Sequence, residues 1–309
     1  VLQNDGAGNF KDVTKEIAPE LENAGMVTDG EWFDYDRDGK ADLIIAGEYL
    51  PLRLYHNTGG KLEEVTQAAG LSKSNGWWNR LAVADVNGDG FMDIVAANHG
   101  LNSRFQSSEE RPVSMYVGDF DNNGRKEHIV TCYNGEESYP MALRHDLVSV
   151  LPYLKKKYLK YVSYKEEGIE DIFTEGKLKK AVRLDMYVQE TSLFLNGKDG
   201  SFTRKALPLE AQLSPMYGIE VGDFDGDGHV DILLGGNFYQ SKPEVGIYDA
   251  SYGVFLKGNG KGAFTSVPAQ KSGFFSKGQI RDLMVLKRSD KKIVLISKNN
   301  DEVQIIQYQ

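Results

Sequence analysis

Short apolar runs recur along this chain, each stopped by an aspartate or a glycine. Leu81-Ala-Val-Ala precedes Asp85 and Ile94-Val-Ala-Ala follows Asp93. Ile219-Glu-Val precedes Asp223 and Ile232-Leu-Leu follows Asp231, with Leu43-Ile-Ile-Ala and Ile129-Val in equivalent places. Runs this short, bounded by turn formers and rich in β-branched residues, predict buried strands rather than helices. A second pattern consists of apolar residues eight positions apart: Leu2 and Phe10, Leu54 and Leu62, Phe194 and Phe202, Leu256 and Phe264. Asn and Gly fill the space between them, as in Asn259-Gly-Lys-Gly. Both residues tolerate positive φ, so these segments predict hairpins. Two strands around an acidic loop, followed by a hairpin, make a four-stranded antiparallel sheet. Repeated radially, that unit is the blade of a β-propeller.

The acidic loop is the strongest internal repeat. It reads Asp34-x-Asp36-x-Asp38-Gly39-x-x-Asp42, then Asp85-x-Asn87-x-Asp89-Gly90-x-x-Asp93. The third copy is Asp119-x-Asp121-x-Asn123-Gly124-x-x-Glu127 and the fourth Asp223-x-Asp225-x-Asp227-Gly228-x-x-Asp231. Calcium takes roughly six to eight hard oxygen ligands. Positions 1, 3 and 5 supply side-chain oxygens, the glycine at 6 allows the sharp turn, and the acid at 9 closes the shell. Position 7 adds a backbone carbonyl, from Lys40, Phe91, Arg125 and His229. The expectation is about four structural calcium ions. Fourteen of the chain's 45 carboxylates lie in the loops, and four calcium ions would bring the net charge from −9 to near −1. Carboxylates this close repel one another without a cation. A fifth, degenerate unit is expected from Ile280 to Leu286, Ile293 to Ser297 and Val303 to Gln307, with no metal at its turn, Lys287 to Lys292.

These loops and hairpins resemble FG-GAP or VCBS repeats, such as those of the integrin α-subunit propeller. Gly76-Trp-Trp-Asn79, Gly100-Leu-Asn-Ser103 and Ser272-Gly-Phe-Phe275 resemble large bacterial VCBS-repeat proteins that are exported or attached to the cell surface. The resemblance implies an all-β propeller of four-stranded blades, with five recognisable units here and room for more in a parent chain. It implies structural calcium at the blade periphery, away from a ligand face. An ASPIC/UnbV segment, carried by many relatives, is not found. The N-terminal hairpin either completes the last blade or belongs to a longer chain with further blades upstream.

The pattern is read as one domain over residues 1–309. It lapses between the third and fourth loops, where residues 144–185 predict a helical insertion. Asp146 is placed as a helix cap, Pro152 as a restart, and Leu154, Tyr158 and Tyr161 follow helical spacing. Thr174 and Glu175 start a second short helix, and Lys155, Lys156, Lys157 and Lys160 make the segment basic. No clear hairpin follows the second loop, so its blade is expected to have only two or three strands of its own.

Candidate ligand-face residues are Trp77, Trp78, Arg80, His99, Asn102, Tyr139, Arg144, Asn237 and Tyr239. The tryptophans would offer a sugar platform. Arg80 beside them would supply hydrogen bonds, and the remaining candidates lie in equivalent places after predicted strands, where propeller loops converge. No G-x-S-x-G, H-E-x-x-H or Walker loop is present. The leading reading is a calcium-stabilised, extracytoplasmic adhesion or binding module for a protein or glycan. A polysaccharide lyase or hydrolase acting on the central face, and a structural spacer in a surface protein, are the alternatives. Acidity argues against nucleic acid as a partner. The mean hydropathy of −0.43 predicts no membrane span, and Cys132, the single cysteine, allows neither an intrachain disulfide nor a cysteine zinc site.

Overall fold

The computed structural model describes residues 1–288 and 291–308; the expectation of no metal at the Lys287–Lys292 turn falls partly outside them. The molecule is all-β, with a few short helices and no cis peptide bond among the described residues. It divides into two compact units: residues 1–103 with 189–309, and residues 104–188.

In the first unit, β1 (Leu2–Asn4) and β2 (Phe10–Asp12) form a separate two-stranded hairpin. The first blade runs β3 (Met26–Phe33), β4 (Asp42–Leu50), β5 (Arg53–Asn57) and β6 (Leu62–Glu64), paired in that order. The short β7 (Gly76–Trp77) adds onto the far end of β4. The second blade opens with β8 (Arg80–Ala84) and β9 (Asp93–Ala97). The chain then leaves for the second unit, whose sheet contains β10 (Val113–Gly118), β11 (Glu127–Asn134), β12 (Glu137–Pro140) and β13 (Val182–Met186). On returning, β14 (Ser192–Asn196) pairs with β9, and β15 (Phe202–Ala206) completes the second blade. The third blade is β16 (Met216–Gly222), β17 (Asp231–Gly236), β18 (Val254–Gly258) and β19 (Phe264–Val267). The last sheet has three strands, β20 (Ile280–Arg288), β21 (Lys291–Lys298) and β22 (Gln304–Tyr308).

Every sheet is antiparallel; the three loop-bearing sheets of the first unit run in chain order, with β7 as an extra strand on the first, whereas in the second unit β13 adds outside β10, giving the order β13-β10-β11-β12. Within the first unit β8 packs beside both β3 and β16, and β16 packs beside β20. The second strands are buried on both faces: Ile44, Ile94, Val95, Ile232 and Leu234 are each fully covered. That explains why they read as continuous apolar runs, whereas edge strands such as Phe202–Ala206 expose most of their length.

Four features differ from the sequence reading. The hairpin Phe194 to Phe202 completes the blade of the second loop, not that of the third, so this blade has four strands drawn from two distant stretches. The third loop belongs to the sheet of the second unit, on which the helical segments pack. These are Arg144–Val150, Pro152–Lys156, Tyr161–Ser163, Ile169–Ile172 and Glu175–Lys180. Leu147, Leu151, Leu154, Tyr158 and Phe173 pack against Tyr116, Phe120 and Ile129 of that sheet. Asp146 sits three residues inside the helix rather than at its cap, and its carboxylate accepts from the Leu143 N–H at 3.3 Å. Tyr161, grouped with Leu154 and Tyr158 by spacing, is exposed.

Candidate metal loops and ligand face

The four acidic loops share one backbone. Position 6 is glycine at φ between 84° and 89° (Gly39, Gly90, Gly124 and Gly228). Position 4 is also left-handed in all four, with Arg37 at 64°, Gly88 at 73°, Asn122 at 61° and Gly226 at 81°. Two left-handed residues curl the chain so that the odd-numbered side chains turn inward. The first carboxylate of each loop accepts the N–H of its glycine, as Asp34 does from Gly39 at 2.9 Å and Asp85 from Gly90 at 2.8 Å. Asp119 and Asp223 do the same with Gly124 and Gly228. Position 7 donates its N–H to position 5: Lys40 to Asp38, Phe91 to Asp89, Arg125 to Asn123 and His229 to Asp227.

The acid at position 9 has a second role that spacing does not reveal. Asp42, Asp93 and Asp231 are fully buried, and Glu127 nearly so. Each accepts the N–H of its own position 2, from Tyr35, Val86, Phe120 and Phe224. In the first unit each also accepts an N–H from the third strand of its blade: Asn57 at 2.7 Å, Asn196 at 2.8 Å and Gly258 at 2.8 Å. Burial raises these carboxyls above the ordinary range, Asp93 to about 6. Position 9 therefore ties loop to hairpin while still facing the loop.

Carboxylate oxygens gather within 4.8 Å of one another in three loops: Asp34, Asp36 and Asp38; Asp119, Asp121 and Glu127; Asp223, Asp225 and Asp231. The second loop, with Asn87 in place of a carboxylate, gathers no such trio among the described residues. The donors are hard oxygens with lone pairs left beyond their backbone bonds, which fits a hard divalent cation. Lysine ammonium groups lie beside three loops. Lys40 pairs with Asp38, Lys198 reaches Asp89 at 3.4 Å, and Lys257 pairs with Asp225 and, at 2.8 Å, with Asp227.

The family model for the FG-GAP-like repeat matches residues 34–96 and 182–234. The chain carries FG-GAP-like repeats over these two stretches. Those stretches hold the first, second and fourth loops; the third, in the second unit, lies outside them. No curated protein sequence matches the chain. One solved structure, a lectin from Agrocybe aegerita described as recognising non-reducing terminal N-acetylglucosamine, aligns over 98% of this chain and 73% of its own. The identity is 15% and the TM-score 0.30, too loose an overlap to compare sites.

At the end of the first unit's strands opposite the loops, the protein carries a row of rings. Tyr49 meets Trp77 edge-on at 5.5 Å between centroids, Trp77 meets His99 at 5.2 Å, and His99 meets Tyr248 at 5.1 Å. Burial pushes the His99 imidazole down to about 4, so it is neutral at physiological pH. Nearby, Arg281 covers the Tyr217 ring at 4.3 Å and donates to Gln279. The Tyr239 N–H donates to the same Gln279 side chain at 3.0 Å, and the Tyr239 ring is exposed.

The remaining face candidates scatter. Trp78 is a core residue, its indole N–H on the Ser74 carbonyl and its ring against Phe194. Asn237 is buried, its amide bridging Ser251 and Gly278. Arg80 joins inner strands, as described below, and exposed Asn102 donates to the Leu213 carbonyl at 3.0 Å. Tyr139 and Arg144 belong to the second unit. Tyr139 lines a cavity of about 610 Å³ there with Arg104, Cys132, Tyr133 and Tyr164, and Arg144 donates to the Tyr158 carbonyl at 2.7 Å. Sequence reasoning missed Tyr49, Tyr217, Tyr248 and Arg281. The first ends β4 beyond its apolar run, and Tyr248 comes from a 17-residue connection with no repeat signal.

Proposed function

We propose that this protein is a calcium-stabilised, extracytoplasmic binding module whose ligand, a protein or a glycan, docks on the aromatic end of the first unit. The observation that carries the reading is the row Tyr49, Trp77, His99 and Tyr248, with Arg281 and Tyr217 nearby. Trp77, His99 and Tyr248 are half-buried while Tyr49 backs them from the core, and half-buried rings with polar edges suit the apolar faces and hydroxyls of a sugar, or the side chains of a peptide. Calcium, in this reading, fills the loops at the other end and stiffens the blades without touching the ligand. Loops of modest affinity fill where free calcium is millimolar, which supports a place outside the cytoplasm. A glycan array, followed by titration of any hit, tests the reading on the calcium-loaded protein. Binding should fall at least tenfold in Trp77→Ala and stay unchanged in Lys61→Ala, an exposed position in the β5–β6 hairpin. A panel without glycan or protein ligands, or a hit indifferent to Trp77→Ala, overturns the proposed face.

A further inference from the structure

Leu43 of β4 pairs with Tyr55 of β5, so the next residues, Asp42 and His56, oppose each other. The same register places Leu195 opposite Asp93 and Lys257 opposite Asp231. One position on the third strand of each blade thus overlooks the loop, and the three blades fill it with an imidazole, an aliphatic chain and an ammonium. Lys257 shows the reach of that position, since its Nζ lies on Asp225 and Asp227. His56 has the same access to the first loop: its Nδ1 is 3.2 Å from Asp42 Oδ1 and 3.4 Å from Asp36 Oδ2. Ligand atoms from the three residues lie within 4.8 Å of one another.

We propose that His56, Asp36 and Asp42 form a mixed nitrogen–oxygen site for a transition-metal ion of the zinc class, so that the first loop differs in metal preference from the others. Two ligands about 2.1 Å from an ion and set at the tetrahedral angle lie roughly 3.4 Å apart. The imidazole already stands at that separation from both carboxylates. Nitrogen donors favour zinc, cobalt and copper over calcium, which prefers oxygen alone. Tyr35, edge-on to the imidazole at 5.9 Å, limits its rotation. Asp42 is held by the Asn57 and Tyr35 N–H groups, so two of the three ligands are fixed before an ion arrives. Asp36 and Asp42 serve both this site and the proposed calcium shell of the first loop, so the two ions exclude each other there.

The inference rests on the first loop being a metal site, and the test separates the two claims. Cobalt(II), a spectroscopic stand-in for zinc, is added to the calcium-loaded protein while the visible spectrum and the bound calcium are followed. One equivalent should enter with an intense tetrahedral band, release one calcium, and be displaced by zinc. His56→Gln should weaken cobalt binding by roughly tenfold or more and leave the calcium content intact. Lys257→His, which puts an imidazole over the fourth loop, should raise the uptake to two equivalents. Cobalt binding unchanged in His56→Gln overturns the proposal, as does Lys257→His gaining nothing should His56→Gln fail to fold. Four bound calcium ions with no cobalt response reject this inference alone, whereas a protein that binds no calcium rejects the calcium reading.

Discussion

The guanidinium of Arg80 on β8 donates to the carboxylate of Asp282 on β20 at 2.8 Å, across 202 positions of sequence. The same group lies 3.7 Å from Asp29 of β3. Glu31 and Glu220, on inner strands of the same unit, have carboxyls raised by burial and feel Arg80 as a lowering influence. Arg80 thus serves a group of acids on inner strands. Arg80→Ala should destabilise the protein by about 1.5–3 kcal/mol, the usual worth of a charged hydrogen bond with its partner left exposed to like charges. The loss should shrink in acid, as Glu31 and Glu220, whose carboxyls burial raises, take up protons. Urea melts at pH 7 and pH 4 provide the comparison, and equal losses at both would place the effect in packing.

Removing divalent ions should lower the melting temperature, and returning calcium should restore it. An ion that binds only the folded state at a hundred times its Kd adds about 2.7 kcal/mol per site. Among the loops, Asp38→Ala should cost more of this gain than Asn123→Ala, because a charged ligand is lost from a four-carboxylate loop rather than a neutral one from a three-carboxylate loop. Calorimetric melts with calcium or chelator measure both differences.

Gly39→Ala isolates backbone strain. A Cβ at Gly39 would meet nothing within 4 Å, yet φ there is 85°. The substitution should cost about 1–2 kcal/mol from conformation alone, visible in chemical denaturation even without calcium. Loss near zero would mean that the loop relaxes freely.

His99 predicts an acid-sensitive term. The unfolded chain takes a proton on this residue near pH 6.5, whereas the folded protein resists until about 4. Between those values the unfolded state binds more protons, so stability drops as pH falls, by at most about 1.4 kcal/mol per pH unit. Below about pH 4 the slope from this residue ends. Denaturation midpoints of wild type and His99→Gln between pH 4 and 7 should converge on acidification. Parallel curves would exclude the imidazole as the source.

The sequence by itself determined the repeat unit. Alternating acids with glycine at position 6 can be read directly, because ligand order and positive φ are local demands on side chain and backbone. Buried second strands such as Ile232-Leu-Leu were legible for the same reason: a strand covered on both faces is apolar throughout. Which hairpin completes which blade was decided only by the tertiary structure. Asn196 belongs to Asp93 across 103 residues, and strand pairing over that distance leaves no periodic trace. The proposed face was half legible. Trp77 and His99 stood out by residue type and place, but their union with Tyr49 and Tyr248 depends on how separate blades converge. Trp78, adjacent to Trp77 and chemically identical, turns into the core, since strand alternation says that neighbouring rings part and only packing says which one faces in.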